Sequence, residues 1–231
     1  MRSKARLFCL CLLALLSLAL MCEIGGVAYY FWLAPRYPDN SRPKRHVLIA
    51  GDCNTNNIAP WLRRSLGDPY VVSKPPDHLR SGTLVPLTDW IAFKRPDVIY
   101  LSVGLFDIVM TKHGLLVSKE QYRKNLERTL SSLRGRTHAR IIWGTLPPVM
   151  DEWRARKFGD SVPMMYEKDA VEYGRVAADV MKEFDVEILD AHELLLSNGV
   201  ESMIKEDGIH LSSEGHEAVA NSLSARIKGM K

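Results

Sequence analysis

Five short apolar segments, each followed by a polar turn and then by a helical pattern, constrain the fold of this chain more than any other feature. Runs that are apolar at nearly every position are typical of strands buried on both faces of a parallel sheet. The alternation of strand and helix predicts a three-layer α/β/α domain, with a five-stranded parallel sheet in the order 2-1-3-4-5. The predicted strands are Val47–Gly51, Pro69–Ser73, Asp97–Val103, Ala139–Trp143 and Val186–Leu189.

Apolar residues at helical spacing fill most of the connections between these strands. Ser118 and Ser212 or Ser213 are suited to cap the helices that follow them, because a serine hydroxyl accepts from a first-turn N–H. The segment 149–164 is charged and lacks apolar periodicity, which indicates an irregular surface excursion. Helices are predicted over residues 58–66, 82–93, from 118 to about 133, 165–184, 191–197 and 213–227.

The first strand ends in the turn Gly51–Asn54, where a ligand or a reacting group would be expected. In open α/β sheets, ligands bind beyond the carboxyl ends of the strands. Cys53 is the only cysteine after residue 22, so it has no partner for a disulfide within the domain. Two interpretations remain at this point: an ordinary polar turn with an inert thiol, or a site.

The N-terminal segment is apolar enough to reach across a membrane. Residues 7–34 contain one charge, Glu23, and follow the basic residues of MRSKAR. We favour an uncleaved signal anchor over residues 1–34, because no small-residue cleavage site stands near Met21. A cleaved signal peptide is the main alternative, and a lipoprotein-type cut before Cys22 is a third. A proline-bearing linker, 35–45, leads to the domain, 46–231. The expected location is therefore the membrane, crossed once, with the domain on the extracytoplasmic side.

Charge and composition exclude some function classes. Of the 31 Lys and Arg and the 27 Asp and Glu residues, seven and two respectively precede His46, which leaves 24 and 25 for the domain. This balance does not favour a nucleic-acid partner. The sequence has no zinc-ligand spacing and no glycine-rich nucleotide motif, so neither a metal nor a cofactor is predicted. The oligomeric state is left open.

Asp207 and His210 form a D-x-x-H pattern shortly before the last helix. A loop can hold an imidazole near a nucleophile while a carboxylate fixes its tautomer. The pattern is common, but here it follows the last strand, so it could meet Cys53 and the segment Gly104–Asp107 at one edge of the sheet.

These blocks resemble the GDSL/SGNH hydrolase family from His46 to the end of the chain. Gly51–Cys53 stands at the Gly-Asp-Ser block, and Gly82 stands near the second-block glycine. Gly104–Asp107 resembles Gly-x-Asn-Asp, and Asp207–His210 resembles the closing Asp-x-x-His block. The resemblance implies a flavodoxin-like α/β domain and an esterase, lipase or deacetylase that uses no metal.

The resemblance also implies roles for individual residues. Cys53 would be the nucleophile, His210 its general base, and Asp207 the carboxylate that orients His210. The oxyanion or substrate-binding positions would be Gly82, Gly104 and Asn54. An acylated glycan or lipid would be the substrate, and an imidazole near Cys53 would lower its thiol pKa.

Two departures from the family pattern bear on activity. Cys53 replaces the nucleophilic serine, and Phe106 replaces the asparagine that donates to the oxyanion. Losing one such donor typically costs about 10²–10³ in rate. The alternative hypothesis is therefore a catalytically inactive member that keeps the fold as a binding or scaffolding protein.

Overall fold

A central sheet of five parallel strands organises the domain, and the computed structural model describes it over residues 45–229. The strands of this sheet lie in the order β2-β1-β3-β6-β7, which confirms the predicted topology. A two-stranded antiparallel hairpin, β4 and β5, follows β3 and was not predicted. The strands are β1 (Arg45–Gly51), β2 (Tyr70–Ser73), β3 (Val98–Ser102), β4 (Met110–Thr111), β5 (Gly114–Leu115), β6 (Arg140–Gly144) and β7 (Glu187–Leu189).

Ten α-helices connect and cover these strands in the described part of the chain. Short 3₁₀ turns occur at Val85–Leu87 and Gly159–Ser161. The helices are α1 (Cys53–Asn57), α2 (Ala59–Leu66), α3 (Ser81–Leu84), α4 (Thr88–Phe93), α5 (Lys119–Arg134), α6 (Asp151–Phe158), α7 (Glu167–Glu183), α8 (Ala191–Ser197), α9 (Val200–Met203) and α10 (Ser213–Lys228).

The two faces of the sheet bury separate apolar clusters. Alternate residues of β1 divide between them: Leu48 and Ala50 face one cluster, and Val47 and Ile49 face the other. This is why the strand is apolar at each of these positions instead of alternating with polar residues. Cys53 belongs to the same cluster as Leu48 and Ala50, together with Ile209 from the loop before α10.

Several predicted helix boundaries differ from the structure for local reasons. The predicted helix 82–93 is divided at Pro86, which has no N–H for a helical bond and lies in the 3₁₀ turn. The predicted helix 58–66 is preceded by a separate short helix, α1. The predicted caps are confirmed: Ser118 accepts from the N–H of Gln121, and Ser212 accepts from that of Gly215.

The prediction of an irregular excursion over residues 149–164 is wrong, because the segment contains α6. Acidic residues Asp151 and Glu152 lie in its first turn and basic residues Arg156 and Lys157 in its last, which suits the helix dipole. Its one buried residue is Arg154. Because the buried residue of α6 is an arginine, the sequence of this helix shows no apolar periodicity.

The predicted membrane anchor, residues 1–34, lies outside the described residues, as does the predicted linker except for Arg45. Arg45 is the first residue of β1, so the strand begins one position before the predicted domain boundary. Over residues 45–229, the helices are too short or too polar to cross a membrane.

Candidate active site

The end of β1 turns sharply into α1 and places Cys53 at the first helical position. Gly51 is required at this turn, because a Cβ there would lie 2.0 Å from the carbonyl oxygen of Ser102. Asp52 caps α1: its Oδ1 accepts from the backbone N–H of Thr55 at 3.1 Å. The cap fixes the start of α1 and with it the position of the Cys53 side chain.

The Cys53 thiol is held in its protonated form. Cys53 is only 8% exposed. Burial is the main cause, and the negative charge of Asp52 the second, of a rise in the pKa of the thiol to about 12. The backbone N–H groups of Asn54 and Cys53 oppose this rise. Over residues 45–229 no hydrogen bond joins the thiol to the His210 imidazole. The shift has the opposite direction from the lowering expected beside an imidazole.

Asp207 and His210 form a hydrogen-bonded pair in the loop between α9 and α10. His210 Nδ1 lies 2.8 Å from Asp207 Oδ2. The other carboxylate oxygen accepts from the backbone N–H groups of Ile209 at 3.1 Å and of His210 at 2.9 Å. Burial opposes ionisation of Asp207, but these hydrogen bonds outweigh it and hold its pKa below the ordinary value.

This pairing orients the imidazole for proton transfer. A carboxylate on Nδ1 favours the tautomer that carries its proton there, which leaves the lone pair on Nε2. The His210 side chain is 37% exposed, so solvent or a substrate can reach it.

Asn54 connects α1 to the loop that carries the pair. Its Nδ2 donates to the carbonyl oxygen of Ile209 at 2.8 Å, and its Oδ1 accepts from the N–H of Leu211 at 2.9 Å. These two bonds flank His210 and bring its loop against α1. The Asn54 amide is buried and engaged with the loop, so a role towards an oxyanion stays a prediction.

The other two predicted oxyanion positions are Gly104, in the turn after β3, and Gly82, in the first turn of α3. Gly104 directly follows Val103, with φ of +143°, and a Cβ would lie 3.0 Å from Tyr122 Oη. Gly82 is exposed and is the second residue of α3, so its N–H has no intrahelical acceptor. Phe106 is half-buried against the apolar core and supplies no side-chain donor.

Asp107 anchors α3 and was not assigned a role from the sequence. Its carboxylate accepts from the Ser81 N–H at 3.0 Å and from the Ser81 hydroxyl. Asn125 of α5 donates to the same hydroxyl at 2.9 Å. Burial raises the pKa of Asp107, whereas its bonds from Ser81 oppose that rise. The network fixes the helix that carries Gly82.

Asp52 is a second buried carboxyl near this edge of the sheet. It is fully buried, its Oδ2 has no hydrogen-bond partner, and burial raises its pKa to about 6. The charge of Asp107 contributes to the rise. The turn position of Asp52 was visible in the sequence, but its burial depends on packing from distant segments.

Among the side chains that the structure describes, no group of three or more His, Cys, Asp or Glu is placed to hold a metal ion. A thiol, an imidazole oriented by a carboxylate and N–H groups at helix starts are the kinds of group that acyl transfer uses.

The fold and these blocks define an SGNH-type α/β domain. A family profile described as GDSL-like lipase/acylhydrolase matches residues 31–218. The chain belongs to this family. A search of curated proteins found no match.

Solved structures share the fold at low sequence identity. A lipase/acylhydrolase from Enterococcus faecalis superposes with a TM-score of 0.66 at 18% identity, covering 80% of this chain and 96% of that one. An acetyl xylan esterase gives 0.64 at 18% identity, with coverages of 79% and 99%. A carbohydrate acetylesterase from Sinorhizobium meliloti gives 0.60 at 17% identity, with coverages of 81% and 100%. These likenesses establish the fold alone.

Proposed function

We propose that this protein hydrolyses carboxylic esters, with Cys53 as the nucleophile and His210 as the general base. The observation that carries the proposal is the 2.8 Å hydrogen bond between Asp207 and the His210 imidazole, a ring that is accessible to solvent. Family membership supports the reaction class.

The raised pKa of the thiol determines the order of events. With a pKa of about 12, almost no thiolate exists at neutral pH before a substrate binds. His210 Nε2 therefore takes the thiol proton as Sγ attacks the acyl carbonyl. The tetrahedral intermediate expels the alkoxide, which receives that proton from His210. Water, deprotonated by His210, then cleaves the thioester and regenerates the thiol.

The oxyanion would be stabilised by backbone N–H groups. The N–H of Cys53, and that of Gly82 at the start of α3, are the candidates. Phe106 removes one donor relative to the family pattern, so the expected rate is about 10²–10³ below that of a member with asparagine.

The proposed substrates are small acyl esters of glycans or lipids. Two of the structural neighbours are an acetyl xylan esterase and a carbohydrate acetylesterase, which favours acetyl groups on carbohydrates as the first esters to try.

The test is hydrolysis of p-nitrophenyl acetate, butyrate and octanoate by the purified chain. We expect His210→Ala and Cys53→Ala to lower kcat/KM by roughly 10²-fold or more, and Asp207→Asn to lower kcat by a similar factor. His113→Ala is the matched control, because His113 is an exposed histidine on the β4–β5 hairpin. Activity that survives both Cys53→Ala and His210→Ala would contradict the proposal.

A second candidate is a non-catalytic binding protein with the same fold. The burial of Cys53, without a hydrogen bond to His210, and the replacement at Phe106 favour it. Absence of hydrolysis for every ester tried, with folded protein, would favour this candidate over an enzyme.

Membrane tethering by residues 1–34 is a separate proposal. The apolar run over residues 7–34, with its single charge, supports it. The full chain, expressed in cells, should stay in the membrane pellet after carbonate extraction, and a chain that begins at residue 35 should not. Release of the full chain into the supernatant would contradict tethering.

A further inference from the structure

His192, the second residue of α8, has each of its two ring nitrogens against an acceptor atom. Its Nδ1 lies 3.3 Å from the carbonyl oxygen of Leu146, and its Nε2 lies 3.0 Å from Oε1 of Glu167, the first residue of α7. A carbonyl oxygen and a carboxylate oxygen accept hydrogen bonds and do not donate them. A neutral imidazole carries a single N–H, so only the imidazolium donates to both partners.

The surroundings of His192 favour this charged form. The hydrogen bond to the Glu167 carboxylate raises the pKa of His192, and the Leu146 carbonyl and the charge of Asp190 add to the rise, whereas burial opposes it. Glu167 lies in the first turn of α7, where the helix dipole stabilises a negative charge. The charged groups around the ring are Glu167 of α7, Asp190 at the cap of α8 and, bonded to the Glu167 N–H at 3.3 Å, Asp151 of α6.

His192 and its carboxylate partner hold the β6–α6 segment, residues 145–150. Oε2 of Glu167 accepts from the backbone N–H of Val149, a buried residue, at 2.7 Å. At the other end of the segment, the backbone N–H of His192 donates to Oγ1 of Thr145 at 2.9 Å. The β6–α6 segment is thus bound to the starts of α7 and α8 at both of its ends.

The β6–α6 segment is in direct contact with the loop that carries the Asp207–His210 pair. The N–H of Met150 donates to the carbonyl oxygen of Gly208 at 2.7 Å. Gly208 has a φ of +77°, and a Cβ there would lie 2.4 Å from the Met150 carbonyl oxygen. Because Gly208 stands between Asp207 and His210 in the chain, a displacement of the segment reaches the pair through backbone hydrogen bonds.

We infer that His192 is a positioning residue for the Asp207–His210 pair, which it holds in place as an imidazolium through Glu167 and the β6–α6 segment. A neutral ring would turn a lone pair towards one of its two acceptors, and the contact on that side would be lost. The hold on the segment is therefore complete below the titration midpoint of His192 and weakens above it. The part of this inference that concerns rate rests on the proposed function, whereas the charge of the ring and its contacts do not.

The first test measures the charge of His192 by ¹H–¹⁵N NMR of its ring nitrogens in the full chain, assigned with His192→Gln. We expect a midpoint above the ordinary value of 6.5 and the imidazolium signals at pH 7, where an ordinary histidine is mostly neutral. Glu167→Gln should lower the midpoint. The matched control is Glu193→Gln, which removes an exposed glutamate next to His192 and should move the midpoint less, because solvent screens its charge. A neutral His192 at pH 7 in the wild-type chain would overturn the inference.

The same titration reports on the loop through the Gly208 amide signal. We expect this signal to show a step at the His192 midpoint, and Glu167→Gln should move the step and the midpoint together. A Gly208 signal without such a step, or one whose step stays in place when the His192 midpoint moves, would overturn the inference even if His192→Gln fails to fold.

The second test follows kcat for p-nitrophenyl acetate against pH. In the wild-type chain kcat should rise as His210 becomes neutral and can act as a base, and fall again as His192 loses its proton. His192→Gln should lack the alkaline fall, with kcat about 10-fold lower at pH 7 and KM changed less than about two-fold. His113→Gln, at an exposed histidine, is the matched control and should keep both limbs.

A persistent alkaline fall in folded His192→Gln would overturn the inference, because a merely structural loss lowers kcat without removing a titration step. If the wild-type chain hydrolyses no ester, the NMR measurements alone decide the role of His192, and the proposed function fails separately.

Discussion

Cys53 and Asp52 are neighbouring residues whose ionisations oppose each other. Asp52 is fully buried, and its charge is the second cause, after burial, of the raised thiol pKa. The charge of Asp52 thus disfavours the Cys53 thiolate, although the same carboxylate caps α1 and fixes the position of Cys53. A nucleophile in this setting depends on proton transfer during attack and not on a stored negative charge.

The thiol should therefore be slow to alkylate in the folded protein. A rise in pKa from 9.0 to about 12 reduces the thiolate fraction about 10³-fold, and the greater nucleophilicity of a more basic thiolate returns part of that, which leaves a deficit of roughly 30- to 60-fold. Iodoacetamide at pH 8, with peptide mapping by mass spectrometry, should label Cys53 roughly 30- to 60-fold more slowly in the native chain than in urea.

Asp52→Asn provides the comparison for this measurement. It removes the second cause of the shift but leaves the burial, so labelling should become faster while remaining below the unfolded rate. Native labelling of the wild-type chain at the unfolded rate would show that Cys53 is neither buried nor shifted as described.

At the scale of elements, the site depends on contacts between segments distant in sequence. The Asn54 amide joins α1 to the loop 207–211, and Met150, directly before α6, joins that helix to the same loop. Asp107 joins the turn after β3 to the start of α3. Each of these bonds satisfies a buried polar group, so removing one partner leaves the other unpaired at a cost of about 1–3 kcal/mol.

Asn54→Ala should lower both stability and activity. It leaves the Ile209 carbonyl and the Leu211 N–H without their buried partners, so we expect a loss of about 3 kcal/mol in the free energy of unfolding, measured by urea denaturation. Asn57→Ala is the matched control, because Asn57 is an exposed asparagine at the end of the same helix. Equal destabilisation by the two variants would contradict the bridging role.

The elements that apolar patterns define were predicted from the sequence, whereas α6 and the β4–β5 hairpin, which have no such pattern, were missed. The order of the five strands followed from their apolar runs and from the rules for parallel sheets. The helix α6 was missed because its buried residue is Arg154, and the β4–β5 hairpin because its strands are two residues long.

For the candidate site, too, some features were predictable from the sequence and others were not. Asp207 and His210 were predicted to pair, and their hydrogen bond follows from three-residue spacing in one loop. The burial of Cys53 and the direction of its pKa shift depend on Ile209 and other distant residues of its apolar cluster. Such three-dimensional environments cannot be derived from spacing in a single chain.

At the scale of the whole molecule, the buried carboxyls couple stability to pH. Asp52 and Asp107 have raised pKa values, so the folded state binds their protons more tightly than the unfolded state does. Their contribution to stability is full below the unfolded pKa and is lost as pH rises through the folded pKa. Asp207, with its lowered pKa, acts in the opposite direction, since its contribution is present above the unfolded value and is lost in acid.

Asp52→Asn isolates one of these contributions. For a shift from 3.8 to about 6, linkage predicts that the wild-type chain loses roughly 2 kcal/mol between pH 4 and pH 8 through this group alone. The variant keeps an oxygen to accept from Thr55 but has no carboxyl to ionise. Urea denaturation of both proteins at pH 4 and pH 8 should therefore show a smaller decrease in unfolding free energy for the variant.

Because Asp107, Asp207 and the histidines are present in both proteins, their contributions largely cancel in the comparison. Parallel pH dependences for the two proteins would mean that Asp52 ionises in the folded chain as readily as in the unfolded one.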